Sequence, residues 1–482
     1  MKRVFVKNLL LLQLLNLIIK PIWLLLIDRS AQNLLGEQYG QYYIVLNLAL
    51  ILNIVLDLGI QNFNQTHVAA DAQFFKQKFK SILLLKGALS SVYIVVVTLI
   101  GLGSGLNMTW LMLILLNQVL LTFVLYLRSN INGLHHYAID ACLSVSDKFF
   151  GILLCLIAYA CNWISIQSFI LIQLFATAIT LIIAWGINQH YYRQLPKEEA
   201  PNADWHLKGI GPLLKLSLPF ALLFTLMNMY TRLDVAMMNL MLPDANYHSG
   251  LYAQSFRLLD ATAMFAMLFA GLLLPMFSKL IQAQADLKPL TNLAATILLV
   301  ISISIGMASY LYAYRIIDLL YDFKSIDQAI ESSEVFKNIL LSFIPMSVTF
   351  VFSTLLTAQK DLYHLNVFAS IALVLNVVLN ACFIPIWQSW GASLATLITQ
   401  SVFALLCYWR CKQLFGFKIQ IAEGLKFAVF VVVLIGLFVV LKGIASTVIS
   451  LALFGASAIL LCLALKIIHP QQVFYFLKSK TQ

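Results

Sequence analysis

The sequence predicts an all-α polytopic membrane protein of about fourteen transmembrane helices. They form two pseudo-symmetric six-helix bundles plus a C-terminal helix pair, with both termini cytoplasmic. Three observations predict this. Of 482 residues, 61% are hydrophobic and 11% charged, whereas a soluble globular protein carries about 25% charged residues. The apolar residues come in runs of membrane-spanning length along the whole chain. The basic residues between those runs fall overwhelmingly on one side. Such a composition excludes a soluble enzyme, a disordered chain and a nucleic-acid-binding domain.

A helix crossing ~30 Å of hydrocarbon needs about 20 mostly apolar residues, because lipid offers its backbone no hydrogen-bond partners. Barrel strands would instead alternate over ~10 residues. The first span is 8–27, after Lys2, Arg3 and Lys7. Its start resembles a signal peptide, but the run is too long and no small-residue cleavage site follows, so it is retained. Pro21 inside it removes an N–H and kinks the helix. The second span, 41–62, carries Asn47, Asn53 and Asp57, with Asn62, Asn64 and Gln65 at and beyond its end. Spans 81–101, 109–128, 144–161 and 165–187 complete the first six.

A polar stretch, Asn188–Gly211, then precedes the seventh span, 213–241. The eighth, 251–277, holds Arg257 and Asp260. Spans 290–314 and 337–358 enclose a short amphipathic outer segment. Span 363–385 ends in Pro385, and 388–410 closes the second set. The last two spans, 424–442 and 447–468, form an appended hairpin.

With the N-terminus inside, 22 basic residues fall on the cytoplasmic side and only Arg29, Arg315, Lys324, Lys337 and Lys442 outside. Cytoplasmic loops of membrane proteins carry such an excess. The seven cysteines lie in apolar stretches without metal spacing and read as small membrane-buried hydrophobes. No His, Cys, Asp or Glu cluster has metal-ligand spacing, and no Gly-rich Lys-Ser/Thr loop announces ATP hydrolysis.

The predicted organisation is a bundle over 1–190, a cytoplasmic linker over 191–212, a second bundle over 213–415 and the additional helices with a tail over 416–482. Weak internal similarity supports it. Ile27-Asp28-Arg29 followed by Gly40-Gln41-Tyr42 is echoed by Arg232-Leu233-Asp234 followed by Gly250-Leu251-Tyr252. Six helices per half make the repeats parallel about the membrane normal.

A charge near mid-membrane costs ~2.5–3.5 kcal/mol on insertion scales, so each needs a partner, water or a function. The candidates are Lys20, Asp57, Arg232, Asp234, Arg257 and Asp260, with Asp28 and Arg29 at the outer end of the first helix. Arg257 and Asp260, three residues apart, share one helical face and can pair. Asp57 reads either as an interfacial cap or as a buried partner. Lys20, Arg29, Arg232 and Arg257 put positive charge on the first, seventh and eighth helices, the expected lining of a central cavity. Guanidinium groups hold phosphate oxygens bidentately, so the cavity suits a pyrophosphate or an acidic sugar. Asn47 and Asn53, like Asn62, Asn64 and Gln65 after them, suit either helix–helix hydrogen bonding or sugar hydroxyls.

Several segments resemble proteins of the polysaccharide exporter family, within the multidrug/oligosaccharidyl-lipid/polysaccharide exporter superfamily. They are Ile27-Asp28-Arg29 through Tyr42, Asp57-Leu58-Gly59 through Asn62, Leu251-Tyr252-Ala253 through Arg257 to Leu274-Pro275, and Asn376 through Asn380, Pro385 and Gly391-Ala392-Ser393. Ser393 stands where the family pattern has Ala. The resemblance implies a non-enzymatic, multi-pass protein of the bacterial inner membrane that flips undecaprenyl-pyrophosphate-linked oligosaccharide of O-antigen, capsule or exopolysaccharide by alternating access. It implies coupling to H⁺ or Na⁺, no other cofactor, and partnership with membrane lipids and other polysaccharide assembly proteins. By motif position it carries over Arg29 and Arg257 as substrate-binding. Lys20 and Arg232 rest on burial alone. Asp28, Asp57, Asp234 and Asp260 are the expected ion-pair or coupling residues. The alternatives are a lipid II flippase, a multidrug or cation antiporter, and a membrane-embedded polymerase or ligase, which would need a long outer loop.

Overall fold

The computed structural model describes residues 14–195, 210–417, 421–444 and 446–467. Lys2, Arg3 and Lys7, most of the 191–212 linker and the tail beyond 467 lie outside them. The described residues are helical, without a strand. Two compact units result, Met1–Gly250 and Leu251–Gln482.

The first unit opens with α1, residues 14–35. Pro21 cannot donate to the preceding turn, and the helix passes directly into a π-helical segment, Trp23–Asp28, before Arg29–Leu35. Such wide turns are uncommon and concentrate at functional sites. The helix thus outruns the predicted span by two turns. Gly36, at φ +51°, ends it, and α2 (Glu37–Ile51) follows.

The second predicted span is not continuous. After α2 the chain forms one 3₁₀ turn, Asn53–Leu56, then Leu58 and Gly59 take positive φ (45° and 84°) before α3 (Ile60–Ala70). Hydropathy cannot see this break, because Leu50–Leu58 is apolar apart from Asn53 and Asp57. Asp71 caps α4 (Ala72–Gly103) by accepting from Gln73 N–H at 2.9 Å. Then come α5 (Met108–Gly133), α6 (Tyr137–Ala160), α7 (Ile166–Gln194) and α8 (Ile210–Met241).

A chain of amides ties α3 to its neighbours. Asn64 donates to Ser129 Oγ and Asn130 Oδ1, Asn130 to Asn188, Gln65 to Asn132, and Asn132 to Asp140, which also takes Arg128 at 2.8 Å. For Asn64 and Gln65 the structure selects the helix-glue role.

α9 (Ala245–Gln282) starts at the end of the first unit. The second unit continues with α10 (Lys288–Leu311), the short amphipathic α11 (Ala313–Leu320), α12 (Ile326–Leu341) and α13 (Phe343–Ala358). The tenth span therefore starts near Ile326, eleven residues before its predicted edge. Ser325, accepting from Gln328 N–H, sets that start. α14 covers Leu362–Phe415, but Gln388 at φ 46° breaks it just after Pro385, where the sequence separates two spans. α15 (Ile421–Leu441) and α16 (Thr447–Ala464) form the hairpin, which packs Phe430, Leu434, Phe454 and Ala458 against Val300 and Ile303 of α10.

Ten described helices are long and apolar enough to cross a membrane, and large apolar side chains such as Leu99, Val440 and Ile182 face outward, as lipid contact requires. Of the cysteines, Cys155, Cys407, Cys411 and Cys462 are buried, whereas Cys142, Cys161 and Cys382 are exposed.

One polar clamp closes α14 on itself. Asp361, just before its first turn, accepts from Arg410 Nε at 2.7 Å and contacts His364 Nδ1 at 2.6 Å. Burial alone would raise the Asp361 carboxyl, but these two hydrogen bonds outweigh it and hold it below its ordinary value. A carboxyl with a lowered folded-state pKa stabilises above its ordinary value of ~4 and loses that contribution as pH falls through the lowered one. Asp361→Asn should lower the melting temperature at pH 7, and the difference from the parent protein should shrink as pH falls below ~4, measured by thermal unfolding in detergent.

Candidate functional site

The predicted charges occupy distinct settings. Asp28 ends the π segment, almost fully buried, and accepts from Tyr39 Oη at 2.8 Å and Gln32 Nε2 at 3.1 Å. The wide turn matters here: Asp28 closes, and Arg29 follows, a segment whose backbone register has slipped. Arg29 is half-buried beside it. Lys20 lies one turn below the π segment, half-buried, within electrostatic reach of Asp147, Lys148 and Arg128. Lys148 also sits 5.0 Å above the Trp23 ring.

On α8, Arg232 donates from Nη1 to Asn47 Oδ1 of α2 at 3.2 Å. Asn47 in turn donates to Tyr43 O. This brings a predicted cation and a predicted polar residue together through one guanidinium nitrogen. Asp234, two residues on, is fully buried. Asn53 opens the 3₁₀ turn and is partly buried. In the second unit Arg257 Nη1 and Asp260 Oδ2 lie 3.9 Å apart on one face of α9.

Asp57 is placed by the broken second span. Its Oδ2 accepts from Gln61 N–H at 3.3 Å, capping α3. Its Oδ1 takes Lys86 Nζ of α4 at 2.7 Å. One oxygen of the carboxylate thus serves the start of α3 and the other serves Lys86. Lys86 is a charged residue that sequence reasoning passes over. It is fully buried and also donates to Thr122 Oγ1 at 2.8 Å and to Leu56 O at 3.1 Å. That last bond satisfies a carbonyl freed where the helix breaks.

The sequence repeat is visible as matching side-chain contacts within each unit. Tyr42 of α2 is buried and bonds Gln173 of α7, with Gln173 Nε2 to Tyr42 Oη at 3.0 Å. Tyr252 of α9 is buried and bonds Thr396 in the second part of α14 at 3.0 Å. In both, the Tyr after the opening Gly ties the second helix of its set to the sixth.

The chain matches the polysaccharide biosynthesis protein family over residues 5–281. No match was found among curated protein sequences. Among solved structures it is similar to the lipid II flippase MurJ in its inward closed conformation, at 14% identity, with 98% of each chain covered and a TM-score of 0.68. It is similar to an inward-facing multidrug resistance MATE family transporter of the MOP superfamily, at 12% identity, covering 84% of this chain and 94% of that one, TM-score 0.60. A third is a MOP superfamily transporter from Pyrococcus furiosus, described by a binding pocket of reverse polarity that suggests a different function. It shares 11% identity, with 85% and 96% covered and a TM-score of 0.55. The match spans more than half of the chain and the fold is that of multi-pass transporters; the protein belongs to the polysaccharide biosynthesis protein family, with the fold of MOP-superfamily flippases and transporters.

Proposed function

We propose that the protein flips an undecaprenyl-pyrophosphate-linked oligosaccharide, the repeat unit of an O-antigen, capsule or exopolysaccharide, across the bacterial cytoplasmic membrane by alternating access. The family match over residues 5–281 carries this reading. The chemistry supports it: Lys20, Arg29, Arg232 and Arg257 offer cations to a pyrophosphate, and Asn47 and Asn53 offer amides to sugar hydroxyls. A cationic drug would meet repulsion from the same groups. Asp28, Asp57, Asp234 and Asp260 set the pairing that changes between states, and one of them carries a coupling H⁺ or Na⁺.

A lipid II flippase is the second reading, favoured by the likeness to MurJ over 98% of both chains. Both readings need the same pyrophosphate-binding cations, so substrate identity is decided genetically. Deleting the gene should abolish a surface glycan and leave peptidoglycan synthesis intact; the opposite result selects lipid II. Arg29→Ala with Arg257→Ala should reduce surface-glycan export at least ~100-fold, since each charged hydrogen-bonding contact is worth about 1.5–3 kcal/mol. Wild-type export from that variant, at equal protein level, would dismiss these cations as the substrate site.

A further inference from the structure

Away from these residues, the second unit holds a cavity of about 520 Å³ where α10 and α11 meet the end of α15. Leu311, Tyr312, Tyr314, Arg315, Phe438 and Lys442 line it. Its chemistry is mixed in a particular way. Arg315 donates from Nη2 to Lys442 O at 2.8 Å and from Nη1 to Ile444 O at 3.1 Å. The carbonyls that end α15 therefore fix the guanidinium in place. Among the described residues no carboxylate pairs with Arg315 or Lys442, so two positive charges meet at one mouth.

Tyr312, Leu311 and Phe438 give the same cavity apolar walls. The Tyr312 ring is 1% exposed and stands edge-on to Phe438 at 4.9 Å and Phe454 at 5.8 Å.

The surroundings are those of a membrane surface. α11 is amphipathic, Tyr314 is exposed on it, and Val439 and Val440 of α15 face outward. Tyrosines and short amphipathic helices settle at headgroup depth.

We infer that this cavity binds the phosphodiester headgroup of an anionic glycerophospholipid. Arg315 and Lys442 donate to the phosphate, while Leu311, Tyr312 and Phe438 receive the glycerol and the first acyl carbons. A zwitterionic headgroup brings its own cation towards Arg315 and Lys442 and is disfavoured. A free phosphate matches the charges but leaves the apolar walls unused. The inference is independent of which glycan the protein moves.

Native mass spectrometry of the delipidated full chain, titrated with phosphatidylglycerol or phosphatidylcholine, tests it. Phosphatidylglycerol should be retained about 10-fold more strongly, which corresponds to ~1.4 kcal/mol. Arg315→Gln and Lys442→Gln each remove one of the two charges at the cavity mouth. Each should cut phosphatidylglycerol occupancy about fivefold or more and leave phosphatidylcholine unchanged. Equal retention of the two lipids, or unchanged binding in both variants, overturns the proposal. Full displacement of phosphatidylglycerol by millimolar inorganic phosphate overturns the lipid assignment.

Discussion

Asp57→Asn is expected to destabilise the protein by about 3–5 kcal/mol, the range for removing one partner of a buried ion pair. Lys86 is fully buried and spends its three donors on Asp57 Oδ1, Thr122 Oγ1 and Leu56 O. Asparagine leaves that ammonium with neutral acceptors only, in surroundings that water cannot reach. It also weakens the acceptor that caps α3 through Gln61 N–H. Lys86→Met should be milder, because Asp57 is 28% exposed and keeps both the Gln61 bond and access to solvent. The double variant Asp57→Asn/Lys86→Met should recover much of the loss of Asp57→Asn. Melting in detergent measures all three. Additive losses in the double variant would show that the pair does not couple the broken second helix to α4.

Why this pair escapes sequence analysis is instructive. Lys86 lies inside the predicted 81–101 span, shortly after Lys76, Lys78 and Lys80, and its sequence neighbourhood does not say which groups would meet it there. Only the fold does, by breaking the second helix opposite it and presenting Leu56 O and Asp57. The break itself has one local signal, Asp57-Leu58-Gly59, since Gly tolerates positive φ. Leu58 takes positive φ as well, a conformation no hydropathy window reports.

By contrast, the long spans were legible because lipid enforces helix wherever some 20 apolar residues run together. Pro385 likewise signals the break before Gln388 that splits α14. The buried charges were legible as anomalies but their partners were not. Tyr39 for Asp28 lies 11 residues away and Asn47 for Arg232 lies 185 away. Burial cost marks a residue from sequence alone; the group that relieves it comes from packing.

The repeat unit Gly-x-Tyr leads to the second large effect. Gly40→Ala is expected to destabilise by about 3 kcal/mol, the upper range for overpacking, and to abolish export. A Cβ at position 40 would stand 1.8 Å from Asn246 O and 2.9 Å from its carbonyl carbon. Both obstacles are backbone, so no rotamer change relieves them, and α2 must move away from the start of α9. Small residues permit such close helix approach in membranes, where packing rather than hydrophobicity holds helices together. Gly250, the matching glycine, sits against the same place, but its nearest neighbour beyond an added Cβ is Gly40 Cα at 3.8 Å. Gly250→Ala should therefore cost little in stability. Gly87→Ala, inside α4 with nothing within 4 Å, should be neutral or stabilising by up to ~1 kcal/mol through helix propensity. The order expected in a melting series is Gly40→Ala far below the parent, Gly250→Ala near it, and Gly87→Ala at or above it. If Gly40→Ala melted with Gly87→Ala, the close approach of α2 and α9 would not be a constraint on the native state, and the first glycine of the repeat would be there for flexibility alone.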